Sequence, residues 1–444
     1  MSANQLKLAF YGDDFTGATD TLATLSAAGL KTLLFMGTPK PEQLAAAGPL
    51  DCLGIAGAAR SMGNAEQRAE LEGVGRFFSE LGAAVVHYKT CSTFDSAPQV
   101  GSIGLAVRTL QQQLRINTFT AFVGGQPNLG RYCVFGNLFA AFKKGGHAYR
   151  LDRHPTMSQH PVTPMHEADL RLHLAHQGLG DLGLVQYPSY DLSADEFDSL
   201  LAGEVSNHAD GVLFDVGCFG HLHHVGKAIW HAARHEPMLA VGPSSVAQAL
   251  IVHWAATAGT TISVVADAEM PAMTAPSESI DAGPAFVFSG SRSPVTASQL
   301  SMAKSYLHVP MAPRLLMDAA NAAYTKVLDE VTDALKRGAH VLSYVTDEPV
   351  PGDVSAVKLA QACAEFVARV LSKAKPRRVG VAGGDTSSYT VKALNVWGLS
   401  YLGQLDPGVA LCRLHSDDPG LDGVEVMLKG GQMGAADIFE KLLH

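Results

Sequence analysis

One pattern recurs along this chain: a short apolar run, a glycine-bearing turn, then a segment of helical periodicity. Leu6 to Tyr11 runs into GDDFTGATD and a helix-like stretch from Asp20 to Ala28, and Lys31 to Met36 reads as a second strand. Gly211 to Val216 leads to GCFGH and a helix from about Val225 to Arg234. Met238 to Val241 leads to GPSS and an apolar helix through Trp254. Ala285 to Phe288 leads to SGSRSPVTAS and a helix to Tyr306. Val379 to Ala382 leads to GGDTSS and a helix from Tyr389 to Val396. Val424 to Leu428 leads to KGGQMG and a last helix to Leu443. Strands alternating with helices build βαβ units, and strands buried on both faces are apolar without alternation. The expected fold is α/β, with mainly parallel sheets.

The length of 444 residues predicts more than one domain. The stretch ADAEMPAMTAPSESIDAGP, within about 256–284, is rich in Ala, Pro and Ser and lacks periodicity. It divides the chain into expected domains 1–258 and 259–444, with a ligand cleft between them. A second irregular region, about 124–168, is too long for a connector and reads as a functional loop or insertion.

Composition removes several function classes. Charged residues make up 17% of the chain and the net charge is −9, with no Lys/Arg-rich run, so a nucleic-acid partner is not expected. The six cysteines are scattered and form no CxxC pair. That pattern argues against a zinc finger or a disulfide framework and for a reducing compartment. No apolar run reaches about 18 residues. The start, MSANQLKLAFYGDD, has no basic segment followed by an apolar one, so the expected location is cytoplasmic.

The chemistry-bearing residues fall where strands should end, the edge at which open α/β sheets bind ligands. GDDFTGATD packs Asp13, Asp14, Thr16, Thr19 and Asp20 into nine residues. Carboxylates there accept hydrogen bonds from a polyol, hold Mg²⁺ through water, or take a proton from an attacking hydroxyl. One helix cap needs only one Asp. In GGDTSS, between a strand and a helix, backbone N–H groups and the helix N-terminus favour a phosphate. SGSRS and KGGQMG repeat that arrangement, and Lys429 and Arg292 could balance phosphate charge. KTCSTFDS offers Lys89, hydroxyls and Asp95 at another strand end. Asn128, Arg131 and His154 lie in the irregular region, where arginine's fork suits a substrate carboxylate. His221, His223, His224, His231 and His235 lack the carboxylates of a metal site and read as helix-surface histidines. No local base marks Cys91 as a nucleophile.

In order along the chain, GDDFTGATDTL, HPVTPMHEADL, SGSRSPVTASQL, AGGDTS and LKGGQMGAADI resemble the blocks of the four-carbon acid sugar kinases, particularly their 3-oxo-tetronate kinase branch. The resemblance implies an N-terminal domain that binds a short sugar acid and a C-terminal domain that binds ATP. It implies a cytoplasmic kinase using ATP and Mg²⁺, with neither nucleic acid nor membrane as partner, and a homo-oligomer as one possibility. Asp14 and Asp13 would be catalytic, with Asp14 the marginal choice as base. Thr16, Lys89 and Arg131 would bind substrate, and the strand-end reading of KTCSTFDS adds Asp95 to them. Ser291, Gly383, Gly384, Asp385, Thr386, Gly430 and Gly431 would bind nucleotide, with Asp385 also holding the metal.

One block departs from the family pattern. Where the family has a KxDSTLRGN-like segment, this chain reads KTCSTFDSAPQVGSIG, with Cys91 for the Asp and Asp95-Ser96 for Arg-Gly. The expected acceptor is a 3-oxo-tetronate or tetronate. A branched oxo-acid such as 3-oxo-isoapionate, or a non-catalytic sugar-acid binder, is the alternative.

Overall fold

The computed structural model describes residues 6–142, 145–160, 162–234, 236–258, 283–350, 352, 354–406 and 408–444. Most of the expected linker, and His235, lie outside these residues. The chain divides into two compact units. One takes the described residues of Met1–Thr32 and Leu44–Pro271, and the other those of Leu33–Gln43 and Ala272–His444. Among the described residues, no helix is long and apolar enough to cross a membrane.

The strands are, in chain order, β1 (Leu8–Gly12), β2 (Thr32–Phe35), β3 (Cys52–Ala56), β4 (Val85–Lys89), β5 (Ala121–Gln126), β6 (Arg131–Val134), β7 (Asn137–Ala141), β8 (Ala148–Arg150) and β9 (Leu182–Val185). They continue with β10 (Gly211–Asp215), β11 (Met238–Gly242), β12 (Ala285–Ser289), β13 (Leu307–Met311), β14 (Val341–Val345), β15 (Arg378–Ala382), β16 (Gly398–Asp406), β17 (Val409–His415) and β18 (Glu425–Lys429).

The first unit is built on a parallel sheet in the order β3-β1-β4-β11-β5-β10-β9. Its central strands are buried along their whole length, as the apolar runs require. From β1 the chain passes to β3 on one side and then to β4 on the other. The strand order therefore reverses at β1, which opens a crevice at its C-terminal end. Asp13 and Asp14 stand there, beside Lys89 at the end of β4.

The second unit has a parallel core in the order β13-β14-β12-β15-β18, continued by antiparallel β17, β16 and β2. The same reversal occurs at β12, which lies between β14 and β15. Helix Ala356–Ala374 buries Leu359, Cys363, Phe366, Val367 and Val370, a spacing that places them on one face.

Two helices begin earlier than periodicity suggests. Helix Phe15–Ala27 starts at Asp14, whose side chain caps it, and helix Gly384–Ala393 starts at Gly383. The first turns of both carry the expected site residues Thr16, Asp385 and Thr386, so no apolar spacing marks them. The SGSRS helix stops short, at Met302. Tyr306 instead donates its hydroxyl to the Phe439 carbonyl at 2.6 Å.

The irregular region contains an antiparallel meander, β6-β7-β8, joined to β5. Its hairpin turns at Phe135-Gly136, both with positive φ (52° and 78°). Such two-residue turns normally advertise themselves as Asn-Gly or Asp-Gly. A phenylalanine hides the signal. The turn is held from outside, because the buried Asp215 carboxylate accepts N–H bonds from Phe135 at 2.6 Å and Gly136 at 2.9 Å.

Candidate active site

In the first unit, backbone bonds fix the three strand ends against each other. The Asp13 N–H donates to the Lys89 carbonyl at 2.9 Å, and the Arg60 N–H donates to the Asp13 carbonyl at 3.0 Å. Asp14 Oδ1 accepts the Gly17 N–H at 2.9 Å, as a helix cap does. Its Oδ2 meets Arg60 Nη2 at 2.5 Å. Lys89 is buried and gives one proton to the Thr90 carbonyl at 2.7 Å. Thr16 lies in the first turn of the capped helix.

Asp13 differs from its neighbour. It is 3% exposed, and its Oδ1 is buried without a hydrogen-bond partner among the described residues. Burial pushes its carboxyl up to about 7, with Asp14 and Asp95 adding to the rise and Arg60 and Lys89 opposing it. Asp95 goes the other way. Burial pushes its carboxyl up, but Arg60 and hydrogen bonds from Cys91 and Thr93 outweigh that and hold it below the usual range. Thr93 Oγ1 donates to Asp95 Oδ1 at 2.7 Å. Burial pushes the Cys91 thiol up to about 12, so Cys91 stays a neutral thiol at physiological pH.

Arg60 is the residue that sequence reasoning missed. It stands in a 3₁₀ turn, Ala59–Ser61, that follows β3. The available signal was a lone arginine among small residues in GAARS, just past a strand. A second group at this edge also went unremarked. Ser244, after β11, donates to Asp20 Oδ2 at 2.5 Å and shares a hydrogen bond with Thr21 at 3.0 Å.

Arg131 opens β6 beside Gln126 at the end of β5. Its Nη1 donates to the carbonyls of Leu129 at 2.6 Å and Ala141 at 3.3 Å, and its Nε is buried without a partner among the described residues. His154 packs against Phe142 and Tyr149; burial and the Arg131 charge lower its pKa. Asn128 is exposed. His221 and His224 stack on Tyr187 and Tyr190 as part of an aromatic packing group.

In the second unit, Ser289, Ala382 and Lys429 stand in one row across β12, β15 and β18. The three turns that follow are laced together. The N–H groups of Gly290 and Ser291 donate to the Ala382 carbonyl, and the Gly383 N–H donates to the Lys429 carbonyl at 2.9 Å. Ser293 and Thr296 donate to the Gly431 carbonyl at 2.5 and 2.9 Å, and Thr296 also reaches Ser291 Oγ at 3.1 Å. The expected nucleotide residues Ser291, Gly383, Gly384, Asp385, Thr386, Gly430 and Gly431 thus share one sheet edge. Gly383 has φ 122° and lets the chain turn directly into helix Gly384–Ala393, which has no side-chain cap. Gly290 allows a close approach, since a Cβ there would fall 2.1 Å from Thr386 Oγ1.

Two charged groups stand at this edge. Lys429 is 1% exposed, and its ammonium donates to the Gly430 carbonyl at 3.1 Å. Burial lowers its pKa to about 8. Asp385 is exposed in the first turn of the uncapped helix. Among the described residues, no group of three or more His, Cys, Asp or Glu could hold a metal. One carboxylate beside phosphate oxygens and water is the way Mg²⁺ is commonly bound with nucleotides.

Residues 8–250 match a sugar-binding N-terminal domain and residues 286–439 a nucleotide-binding C-terminal domain. The chain is 38% identical to a 3-oxo-isoapionate kinase of Paraburkholderia graminis, over 98% of this chain and 93% of that one. It is 30% identical to a 3-oxo-tetronate kinase of Pseudomonas savastanoi pv. phaseolicola, over 100% and 98%. The structure of Haemophilus influenzae protein HI1011, of family DUF1537, shares the fold with a TM-score of 0.74 at 23% identity, covering 98% of both chains. With two domain matches that span both units and kinases similar over nearly its whole length, this chain belongs to the four-carbon acid sugar kinase family.

Proposed function

We propose that this protein transfers the γ-phosphoryl group of ATP to a hydroxyl of a short 3-oxo sugar acid, with the branched 3-oxo-isoapionate the preferred acceptor and 3-oxo-tetronate the second. Two points support the preference: the 38% identity to a 3-oxo-isoapionate kinase, and the departure at Cys91 and Asp95-Ser96 in a loop at the sugar-acid edge. The observation that carries the reaction is the pairing, within one chain, of a buried unpartnered carboxylate at a strand-order reversal with a glycine-rich, lysine-bearing edge at another.

Asp13 is the proton acceptor. Its free Oδ1 has no bond to give up, and a carboxyl pushed up to about 7 is matched to work near neutral pH. Asp14 serves beside it as an anchored anion. Lys89, Thr16 and Arg131 bind the acceptor, with the arginine fork suited to its carboxylate. In the transfer, the acceptor oxygen forms a bond to the γ-phosphorus and its proton passes to Asp13. The bond to the β-phosphate oxygen breaks, and ADP leaves with the electron pair. Ser291, Gly383, Gly384, Thr386, Gly430 and Gly431 hold the nucleotide through backbone N–H groups and the helix N-terminus. Lys429 meets phosphate charge. Asp385 would hold Mg²⁺, which would supply neutralisation of the phosphate charge.

The test is ADP release measured over 3-oxo-isoapionate, 3-oxo-tetronate and the tetronates, with the product followed by phosphorus NMR. A phosphorylated 3-oxo acid, formed fastest from 3-oxo-isoapionate, is expected. ATP turnover indifferent to every acid would remove the assignment.

A further inference from the structure

Three carboxylates and two cations meet at the first unit's strand ends. Asp13 faces Asp14 and Tyr11 from its own segment, and Arg60 from the turn after β3. From β4 and its loop come Tyr88, Lys89, Cys91 and Asp95, and Glu70 reaches Tyr11 from helix Asn64–Leu81. With Asp13, Asp14 and Asp95 against Arg60 and Lys89, full ionisation would leave one uncompensated negative charge in a largely buried place. Such a site raises the proton affinity of one acid, which is then poised to take up a proton near neutral pH.

The hydrogen bonds decide which acid. Asp14 has two tethers, the Gly17 N–H at 2.9 Å and Arg60 Nη2 at 2.5 Å. Asp95 has the Thr93 hydroxyl at 2.7 Å. Asp13 Oδ1 has none. The guanidinium is spent on the neighbour of the free carboxylate, although the Arg60 backbone N–H is bonded to the carbonyl of Asp13 itself.

We propose that Arg60 is a positioning residue: paired with Asp14, it anchors that carboxylate and leaves Asp13 as the one acid of three free to take the acceptor's proton. The idea rests on Asp13 as the base. Asp14 thereby has a second task, which is to keep the guanidinium away from Asp13. The two members of the pair then have opposite effects on the base. Arg60 favours its ionised form and Asp14 disfavours it.

The experiment is the pH dependence of kcat/KM for the acceptor at saturating ATP, in wild type, Arg60→Gln, Arg60→Lys and Asp14→Asn. Removing the arginine charge should move the acidic limb up by about one pH unit or more, with rate partly recovered at alkaline pH. Arg60→Lys keeps the charge and should hold the limb within about half a unit of wild type. Asp14→Asn releases the guanidinium towards Asp13 and should move the limb down. If Arg60→Gln does not fold, Arg60→Met, which keeps a long side chain without the charge, takes its place; the downward shift in Asp14→Asn counts only beside it, because loss of the Asp14 charge alone lowers the limb. Unmoved limbs, or a uniform rise in acceptor KM in Arg60→Gln at every pH, overturn the proposal and make Arg60 a plain structural or substrate-binding residue. Wild-type turnover in Asp13→Asn would overturn the base assignment and this inference together. Unmoved limbs in an enzyme that Asp13→Asn inactivates overturn only the role of Arg60.

Discussion

Arg60 Nη2 stands 2.5 Å from Asp14 Oδ2, while Asp13, the preceding residue, keeps a buried carboxylate oxygen without a partner among the described residues. Adjacent residues of the same type have been given opposite environments. That is how a protein sets two aspartates to two tasks at one pH.

Asp13→Asn should lower kcat by about 10²-fold or more, while the affinity for ATP changes little. The same variant should be more stable than wild type at alkaline pH. A carboxyl raised from 3.8 to about 7 binds its proton more tightly in the folded state. Its contribution to stability is therefore complete below the ordinary carboxylate range and is lost as pH rises through 7. Wild type should lose on the order of 2 kcal/mol between pH 5 and pH 8 through this group, and Asp13→Asn should not. Urea unfolding at the two pH values measures the difference. An inactive variant with an unchanged pH dependence of stability would argue against burial as the source of the raised pKa.

Lys429 gives nucleotide binding a pH signature of its own. Burial lowers its ammonium to about 8, and a phosphate brought beside it favours the charged form. ADP binding near pH 8 should therefore take up about half a proton, visible by calorimetry in buffers of different ionisation enthalpy. Affinity should fall as pH climbs past 8. Lys429→Met should bind ADP at least about 10-fold more weakly at pH 7 and lose the proton uptake. Proton uptake that survives in Lys429→Met would place its source elsewhere.

The contact between Gly290 and Thr386 ties together two of the turns proposed to hold the nucleotide. A methyl group at position 290 would fall 2.1 Å from Thr386 Oγ1 and 3.1 Å from its Cβ, so helix Gly384–Ala393 must shift to admit it. Gly290→Ala should raise the KM for ATP by about 10-fold or more and leave acceptor binding intact. Gly290→Ala/Thr386→Ala removes the obstructing hydroxyl and should recover part of the loss, giving a non-additive double-mutant cycle. Strictly additive losses would mean that the two residues act separately.

How far the sequence could be read follows from which residues advertise their surroundings. Apolar runs on both-face-buried strands gave the α/β class and most strand positions, because burial fixes residue type directly. Asp13, Asp14, Lys89 and the three glycine turns were visible because polar and glycine residues clustered where strands had to end. The different environments of Asp13 and Asp14 were not visible, because they depend on Arg60, 46 positions beyond Asp14 in the chain. Periodicity does not report a pairing across strands. The burial of Lys429 was hidden for the same reason: a lysine that closes a strand looks the same in sequence whether or not a helix covers it. The meander after β5 escaped because its turn uses Phe135, whose positive φ is sustained by Asp215 from another strand.

Asp215 offers the last test, since it joins fold to site. It is 0% exposed, and its carboxylate accepts N–H bonds from Phe135, Gly136 and, at 3.2 Å, Tyr187. Removing the acceptor leaves backbone donors without partners and a two-residue turn with positive φ at a bulky residue. Asp215→Ala should cost about 3 kcal/mol of stability, well above a surface substitution. Amide exchange at Phe135 and Gly136 should quicken more than exchange in the central strands. Arg131 lies on the strand that enters this turn, so the acceptor KM should rise while the KM for ATP, read in the other unit, stays near wild type. Equal changes in both KM values would mean that the clamp supports the whole protein rather than the meander that carries Arg131.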